Sequence, residues 1–323
     1  MNILVTGGAG YVGSTLVPLL LADGHHVRVL DCLLHGGESL LGVWSHPDFE
    51  FVRADVCDRA SARAAVDGMD AVVHLAAIVG DPACARNPVL ARATNLDSSL
   101  ALIEESQRAG VSRFIFASTC SNYGKMSDSS KYVDEESELS PVSLYAETKV
   151  AVEKALLQSA GHSSDWSPTP LRFATVFGVS TRMRFDLTVN EFTMEMLTKK
   201  HLVVFGEQFW RPYIHVRDAA RGIKAVLSSP NEKVSGTVFN VGSTEQNFTK
   251  KQLVEMIQSQ APDAVVEYVH KTEDPRDYRV SFSRIESQLG FKITRTVAQG
   301  IDEVANLVRS GIIPNFADGK LRN

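Results

Sequence analysis

The 323-residue chain has no apolar run approaching the length of a membrane span. It also has no internal repeat and no low-complexity linker. Its four cysteines, Cys32, Cys57, Cys84 and Cys120, show no metal-like pairing, so reduced thiols are expected and no metal site. Positive charge is not in excess: 33 Lys and Arg stand against 38 Asp and Glu, a net charge of −5. That balance argues against a nucleic-acid or membrane surface, and a phosphorylated ligand would have to be held by a few local groups. A strand pattern that begins at residue 2 is expected to leave no room for a signal peptide, and a soluble cytoplasmic protein is expected. What the chain does have is apolar content: 44% of it is hydrophobic and 22% charged, enough for a large core.

The apolar run Asn2-Ile3-Leu4-Val5-Thr6 breaks into Gly7-Gly8-Ala9-Gly10-Tyr11-Val12-Gly13, followed by the apolar stretch Leu16 to Leu21 and a stop at Asp23-Gly24. Strand, glycine-rich turn and helix form the phosphate-binding corner of a dinucleotide fold. Gly7 permits the tight turn, Gly10 lets the backbone approach a diphosphate, and Gly13 lets the helix pack on the strand. The helix N-terminus offers free N–H groups to the phosphates. Tyr11 and Val12, inside the turn, count with the glycines as cofactor-binding. Asp31 ends the next apolar run about 20 residues on, where a carboxylate holds the adenosine ribose and repels a 2′-phosphate, so NAD is favoured over NADP.

Strand and helix patterns then alternate. Residues 49–53, 71–75, 113–117 and 169–173 read as strands, and 59–66, 88–109 and 143–158 as helices. This alternation predicts a Rossmann-type α/β fold, a doubly wound parallel sheet with helices on both faces. Pro18 conflicts with the first helix and should kink it or cost stability. After Gly178 the pattern changes, and a smaller C-terminal α/β lobe interleaves with the end of the first domain. The expected division is 1–178 with 208–241 for the NAD-binding domain and 179–207 with 242–323 for the substrate lobe.

Tyr145 and Lys149 are four apart on a predicted helix and share a face. A neighbouring ammonium and the positive nicotinamide ring should stabilise the Tyr145 phenolate and lower its pKa, making it a general base toward an alcohol. Lys149 could also hold the cofactor's ribose. Thr119, at the carboxyl end of a strand, is the choice for the hydroxyl that bonds the reacting oxygen.

Together these residues resemble the extended short-chain dehydrogenase/reductase superfamily, in its NAD-dependent epimerase/dehydratase branch acting on nucleotide sugars. The resemblance rests on Thr6 to Gly13, Asp31, Asp55-Val56, His74-Leu75-Ala76-Ala77, Asn95, Ser118-Thr119, Tyr145 with Lys149, Leu171-Arg172, Arg211 to Val216 and Phe239 to Gly242. It implies that Asp55 and Val56 contact the adenine, Leu75, Ala76 and Ala77 line the nicotinamide side, and Asn95 supports the cofactor loop. It implies Thr119, Tyr145 and Lys149 as the catalytic trio. Thr119, Thr175, Asn190, Arg211 and Arg276 would bind the nucleotide-diphosphate sugar, and helices near 88–109 and 143–158 would pair in a homodimer. Arg211 is the strongest of the lobe candidates, because it precedes a strand expected to return to the sheet.

Departures from the family narrow the chemistry. The 4,6-dehydratases follow the threonine with Asp-Glu, and the decarboxylases keep a glutamate at the second position; here these are Cys120 and Ser121. Cys120 is close enough to Thr119 for acid/base work at C3 or C5, against the commoner role of an inert buried thiol. Thr181 to Asp186 replaces a Gly-Pro-rich turn, and its arginines are expected in a solvated basic loop or, alternatively, reading an acidic sugar. The resulting expectation is a C4 epimerase working through a transient 4-keto sugar. The alternatives are a nucleotide-sugar oxidoreductase or dehydratase in deoxysugar synthesis, and a non-catalytic NAD-binding regulator.

Overall fold

A computed structural model describes residues 1–126, 128, 131–161, 165–272 and 276–323. The chain opens with β1 (Asn2–Thr6), α1 (Gly13–Ala22), β2 (His26–Asp31), β3 (Phe49–Arg53), α2 (Arg59–Val66) and β4 (Ala71–His74). It continues through α3 (Asp81–Arg86), α4 (Pro88–Arg92), α5 (Ser98–Arg108), β5 (Arg113–Thr119), α6 (Leu144–Ser159) and β6 (Ser167–Phe173). Then come β7 (Thr175–Phe177), α7 (Thr188–Thr198), β8 (His201–Phe205), β9 (Trp210–His215), α8 (Val216–Leu227) and α9 (Asn231–Val234). The last are β10 (Phe239–Val241), β11 (Asn247–Thr249), α10 (Lys250–Gln258), β12 (Val265–Val269), α11 (Ser283–Leu289) and α12 (Val297–Ser310).

Seven strands form one sheet in the order β10-β6-β5-β4-β1-β2-β3, and every pair in it is parallel. Side chains alternate across the sheet with the period-2 pleat. Ile3, Val5, Val27, Val29, Ala71 and Val73 join the core beneath α1 and α8. Leu4, Leu30, Val72, Phe114 and Phe116 join the core beneath α2, α5 and α6. Both faces are therefore dry, which is why these strands read as continuous apolar runs. Glu105, 2% exposed, ties α5 to α2 by accepting from Arg59 and Arg63.

α1 runs on through Pro18, which lies exposed, so its ring displaces no core contact and the cost is confined to the backbone bond that it cannot donate. The helix expected over 88–109 is interrupted by a π-turn at Ala93–Asp97. β9, expected to return to the sheet, does not. It pairs parallel with β7 and antiparallel with β11 in a separate three-stranded sheet, and β10 is the strand that closes the large sheet beside β6. A strand's own residues do not name its ladder partner, and β9 has the same apolar pattern in either place. A further core packs Phe177, Val189, Leu202, Val204, Tyr213, Leu253, Ile257 and Ile301 in the small lobe. No helix among the described residues is long and apolar enough to cross a membrane.

Candidate active site

The carboxyl ends of the parallel strands converge on the glycine turn. Gly7 has φ +73°, and a Cβ there would meet the Ala76 backbone nitrogen at 2.7 Å. A Cβ on Gly13 would meet the Gly7 carbonyl oxygen at 2.4 Å, and one on Gly10 would meet it at 3.1 Å. The turn is therefore as close to the neighbouring strand as backbone allows. Val12 precedes α1 without a side-chain cap, and the Ser14 N–H is taken by the Gly10 carbonyl at 2.9 Å and the Thr15 N–H by the Val12 carbonyl at 3.1 Å, so an anion would meet the backbone of the turn at the positive end of the helix. This cradle fits a dinucleotide diphosphate. Tyr11 is buried and its hydroxyl donates to the Gly178 carbonyl at 2.5 Å.

Asp31 stands at the end of β2. Its carboxylate accepts from the Ala9 N–H at 3.0 Å and from the Leu33 N–H at 2.8 Å, which aims it along the glycine turn. Burial pushes its pKa up, against these two bonds and the charge of Arg182. Asp55, exposed, accepts from the Cys57 N–H at 2.9 Å, and Val56 beside it is buried in the core. Leu75, Ala76 and Ala77 leave the end of β4, held to β1 by bonds from the Leu75 N–H to the Thr6 carbonyl (3.1 Å) and from the Ala76 N–H to the Thr6 hydroxyl (3.3 Å). His74 bridges Thr6 and Ser99 inside the core, and burial pushes its pKa down to about 3, so it is neutral. Asn95 sits in the π-turn, 1% exposed, and clamps both backbone groups of Ile78 at 2.8 and 2.9 Å. The extra residue of the π-turn is what swings this amide onto the loop after β4.

Lys149 and Tyr145 lie on one face of α6, the ammonium 5.9 Å from the Tyr145 ring centre. Lys149 is 2% exposed and donates to the Ala117 carbonyl at 2.8 Å, two residues before Thr119 on β5. Burial pushes its pKa down to about 8. Tyr145 is half-buried, and here the expectation of a lowered phenol is corrected. Burial holds its pKa above the tyrosine range, and the cation that lowers it most is Arg184, from the small lobe. Desolvation outweighs the nearby ammonium, whose hydrogen bond goes to Ala117. Thr119 accepts from the Ser121 N–H at 3.1 Å. Cys120 is 1% exposed and faces the core, its thiol 3.2 Å from the Arg172 carbonyl, with its pKa raised by burial; it is the inert thiol of the two readings.

The lobe residues divide. Arg211, 9% exposed, sits on the small sheet with its guanidinium 5.4 Å from the Tyr278 ring centre. Arg276 pairs with Asp81 at 3.1 Å, and Asp81 accepts from Ser143, the N-cap of α6, at 2.7 Å. That chain ties the lobe to the helix carrying Tyr145. Thr175 lies on β7 opposite Tyr213. Asn190 is fully buried, and its amide is spent inside the fold. It accepts from the Gly178 N–H (2.9 Å) and donates to the Arg184 carbonyl (2.9 Å) and the Tyr11 hydroxyl (3.2 Å).

Two features escaped the sequence reading. Glu153, one turn beyond Lys149, pairs with Arg172 at 2.8 Å and accepts from Asn122 at 2.8 Å and from Ser118; Arg172 also donates to Tyr123 at 3.0 Å. This buried network braces β5 and β6 beneath Thr119. The i+4 spacing from Lys149 was the available signal. Tyr278, 3% exposed, places its hydroxyl 3.4 Å from that of Ser121. The arginines of 181–186, expected in a solvated loop, are 6% and 8% exposed. Arg184 is held by a bidentate pair with Asp186, and Arg182 by the returning residues 322–323, a contact no local pattern could announce.

The model of the NAD dependent epimerase/dehydratase family matches residues 3–242. A dTDP-glucose 4,6-dehydratase of Streptomyces griseus is 31% identical over 93% of this chain and 92% of its own. A UDP-glucose 4-epimerase of Corynebacterium glutamicum is 27% identical over 94% of each. Among solved structures, the Thermus thermophilus UDP-glucose 4-epimerase in complex with NAD aligns with a TM-score of 0.83 at 25% identity, covering 97% of this chain and 100% of that one. Alongside the glycine cradle, Asp31 at the end of β2 and the helix of Tyr145 and Lys149, the family match over residues 3–242 shows that the chain belongs to the NAD-dependent epimerase/dehydratase family.

Proposed function

We propose that the protein is a nucleotide-sugar epimerase acting at C4. The observation that carries this reading is the surroundings of Thr119. The thiol of Cys120 is turned into the core, and Ser121 offers only a hydroxyl, paired with Tyr278. No carboxylate follows the threonine to drive loss of water, whereas the hydroxyl, phenol and ammonium that C4 oxidation requires all lie at the crevice. Burial alone keeps the Tyr145 phenol protonated. It could accept the proton of the sugar C4 hydroxyl only as a phenolate stabilised by the positive ring that bound NAD would bring beside it, while Thr119 hydrogen-bonds the same oxygen. Lys149, fixed by Ala117, orients the cofactor's ribose and keeps positive charge near the phenol. NAD, when bound, supplies a hydride acceptor that returns what it takes. Arg211 and Arg276 suit the sugar nucleotide's diphosphate, because a guanidinium donates two bonds in fixed geometry. Thr175 lies on β7, opposite Tyr213 of the strand that carries Arg211, and Asn190 holds the loop at Gly178 and Arg184.

The coenzyme unit is taken as 1–178 with 208–241 and the substrate lobe as 179–207 with 242–323, the small β7-β9-β11 sheet lying at their joint. A homodimer built on the helices of 88–109, α4 and α5, with α6 is part of the same reading, supported by Val89 and Leu90 of α4, exposed at 81% and 43%.

The similarity to the Streptomyces griseus dehydratase favours one second reading, a 4,6-dehydratase making a keto-deoxy sugar. Incubation with a panel of nucleotide sugars in D₂O, followed by NMR, separates the two. C4 epimerisation gives a C4-inverted product with no deuterium in the sugar and no free NADH. A 6-deoxy product or deuterium at C5 would overturn the C4 reading.

A further inference from the structure

The segment that replaces the usual turn after Gly178 is clamped across the glycine turn. Ser180 donates to the Tyr11 carbonyl at 2.8 Å and bonds the Ser14 hydroxyl at 2.9 Å, at the start of α1. On the other side Ser39 donates to the Ala9 carbonyl at 2.8 Å, and Thr181 reaches the Ser39 carbonyl at 3.4 Å. Residue 182 follows directly on this clamp, close enough to the end of β2 for its charge to act on Asp31. Arg182 is 6% exposed. Its guanidinium is fixed from behind, Nη2 donating to the Arg322 carbonyl at 3.1 Å and to Asn323 Oδ1 at 2.8 Å. Its Nε is buried with no hydrogen-bond partner. It lines a cavity of about 250 Å³ with His35, Ser39 and Lys320.

A buried guanidinium N–H left unpaired is costly, and proteins keep such donors where a ligand completes them. Nearby acids do not complete this one. Asp31 spends its oxygens on Ala9 and Leu33, Asp186 is engaged by Arg184, and Glu38 by Lys320. The anion the turn is shaped to cradle is a dinucleotide diphosphate, held from one side by the α1 N-terminus.

We infer that Arg182 is the opposing phosphate-binding residue, closing on the coenzyme's diphosphate from the small-lobe side, with Arg322 and Asn323 as its backing. Neither oxygen ligation by Asp31 nor the family's glycine turn requires such a group; it belongs to the segment 180–184 of this chain. The inference rests on coenzyme binding and not on chemistry at C4, so failure of the epimerase reading leaves it standing.

Calorimetric titration of the purified full chain with NAD, ADP-ribose, adenosine and NADP tests it. Arg182→Ala should weaken NAD and ADP-ribose at least tenfold and leave adenosine unchanged. Arg182→Lys should recover part of the loss, since a point charge replaces the fork. Asn323→Ala, which leaves the guanidinium in place but loosens its backing, should weaken NAD severalfold in the same direction, and it keeps the test open should Arg182→Ala fail to melt cooperatively. NAD affinity unchanged in Arg182→Lys and Asn323→Ala overturns the inference. So does an equal loss for adenosine, which would make the residue a support for the ribose pocket. A loss confined to NADP overturns it too, since the arginine would then be reading a 2′-phosphate.

Discussion

Tyr145 and Lys149 show how far one residue pair can be read from spacing. Their shared helix face follows from the four-residue interval, but the direction of the phenol's shift does not. Burial raises Tyr145, and Lys149 itself is pushed down to about 8. The Lys149 ammonium is thus intact below about pH 8 in the folded protein and lost above it. If that charge holds the coenzyme's ribose, NAD affinity is flat between pH 6 and 7 and falls as pH rises through about 8. Lys149→Arg shifts the fall to higher pH. Fluorescence titration of NAD across this range checks the expectation, and a wild-type profile level to pH 9.5 removes Lys149 from the ribose. For stability the sign is opposite. The folded pKa lies below the unfolded value of 10.5, so the burial penalty is full below about pH 8 and is relieved as pH rises from there toward 10.5.

At the scale of elements, α6 carries two layers of function on one surface. Its first two turns present Tyr145 and Lys149 to the crevice, and its third presents Glu153 to a buried network with Ser118, Asn122 and Arg172. The network registers β5 and β6 so that Thr119 ends its strand where the helix face begins. Removing one partner leaves a buried unpaired guanidinium, and Glu153→Ala is expected to cost about 3–5 kcal/mol in urea unfolding. Replacing both partners, Glu153→Leu with Arg172→Met, should cost much less than the sum of the single changes. A single change under about 1 kcal/mol would show that the pair is solvated and contributes nothing structural. The π-turn between α4 and α5 plays the matching part on the other side, converting a long helix into a clamp on the loop at Ile78 through Asn95.

For the whole molecule, several polar ties join the later part of the chain to the sheet, two of them at the glycine turn and one at the start of α3. Tyr11 bonds Gly178, Ser180 bonds Ser14, and Arg276 bonds Asp81. In the proposed reading each of these ties would join the coenzyme site to the sugar site. The exposed start of the long helix, Val89 and Leu90, belongs to the proposed dimer face. Sedimentation velocity at micromolar concentration is expected to give a dimer, and Val89→Glu with Leu90→Glu a folded monomer. A wild-type monomer would remove that part of the reading.

The amino-acid sequence alone determined the alternating elements, the glycine turn, the carboxylate at the end of β2 and the Tyr-Lys face. All of these are written in local periodicity and spacing, which backbone geometry converts directly into structure. The helix expected over 59–66 falls where the pattern places it, and the one expected over 143–158 is found at Leu144–Ser159. Only tertiary structure decided which sheet receives residues 210–215, why the arginines at 182 and 184 are buried, and what the environment does to the Tyr145 phenol. Each of these depends on partners far away in the chain: Asn247 opposite Pro212, Asn323 behind Arg182, Arg184 facing Tyr145. Desolvation and ladder pairing are properties of what surrounds a residue, and the residues that surround these three are brought there by the fold.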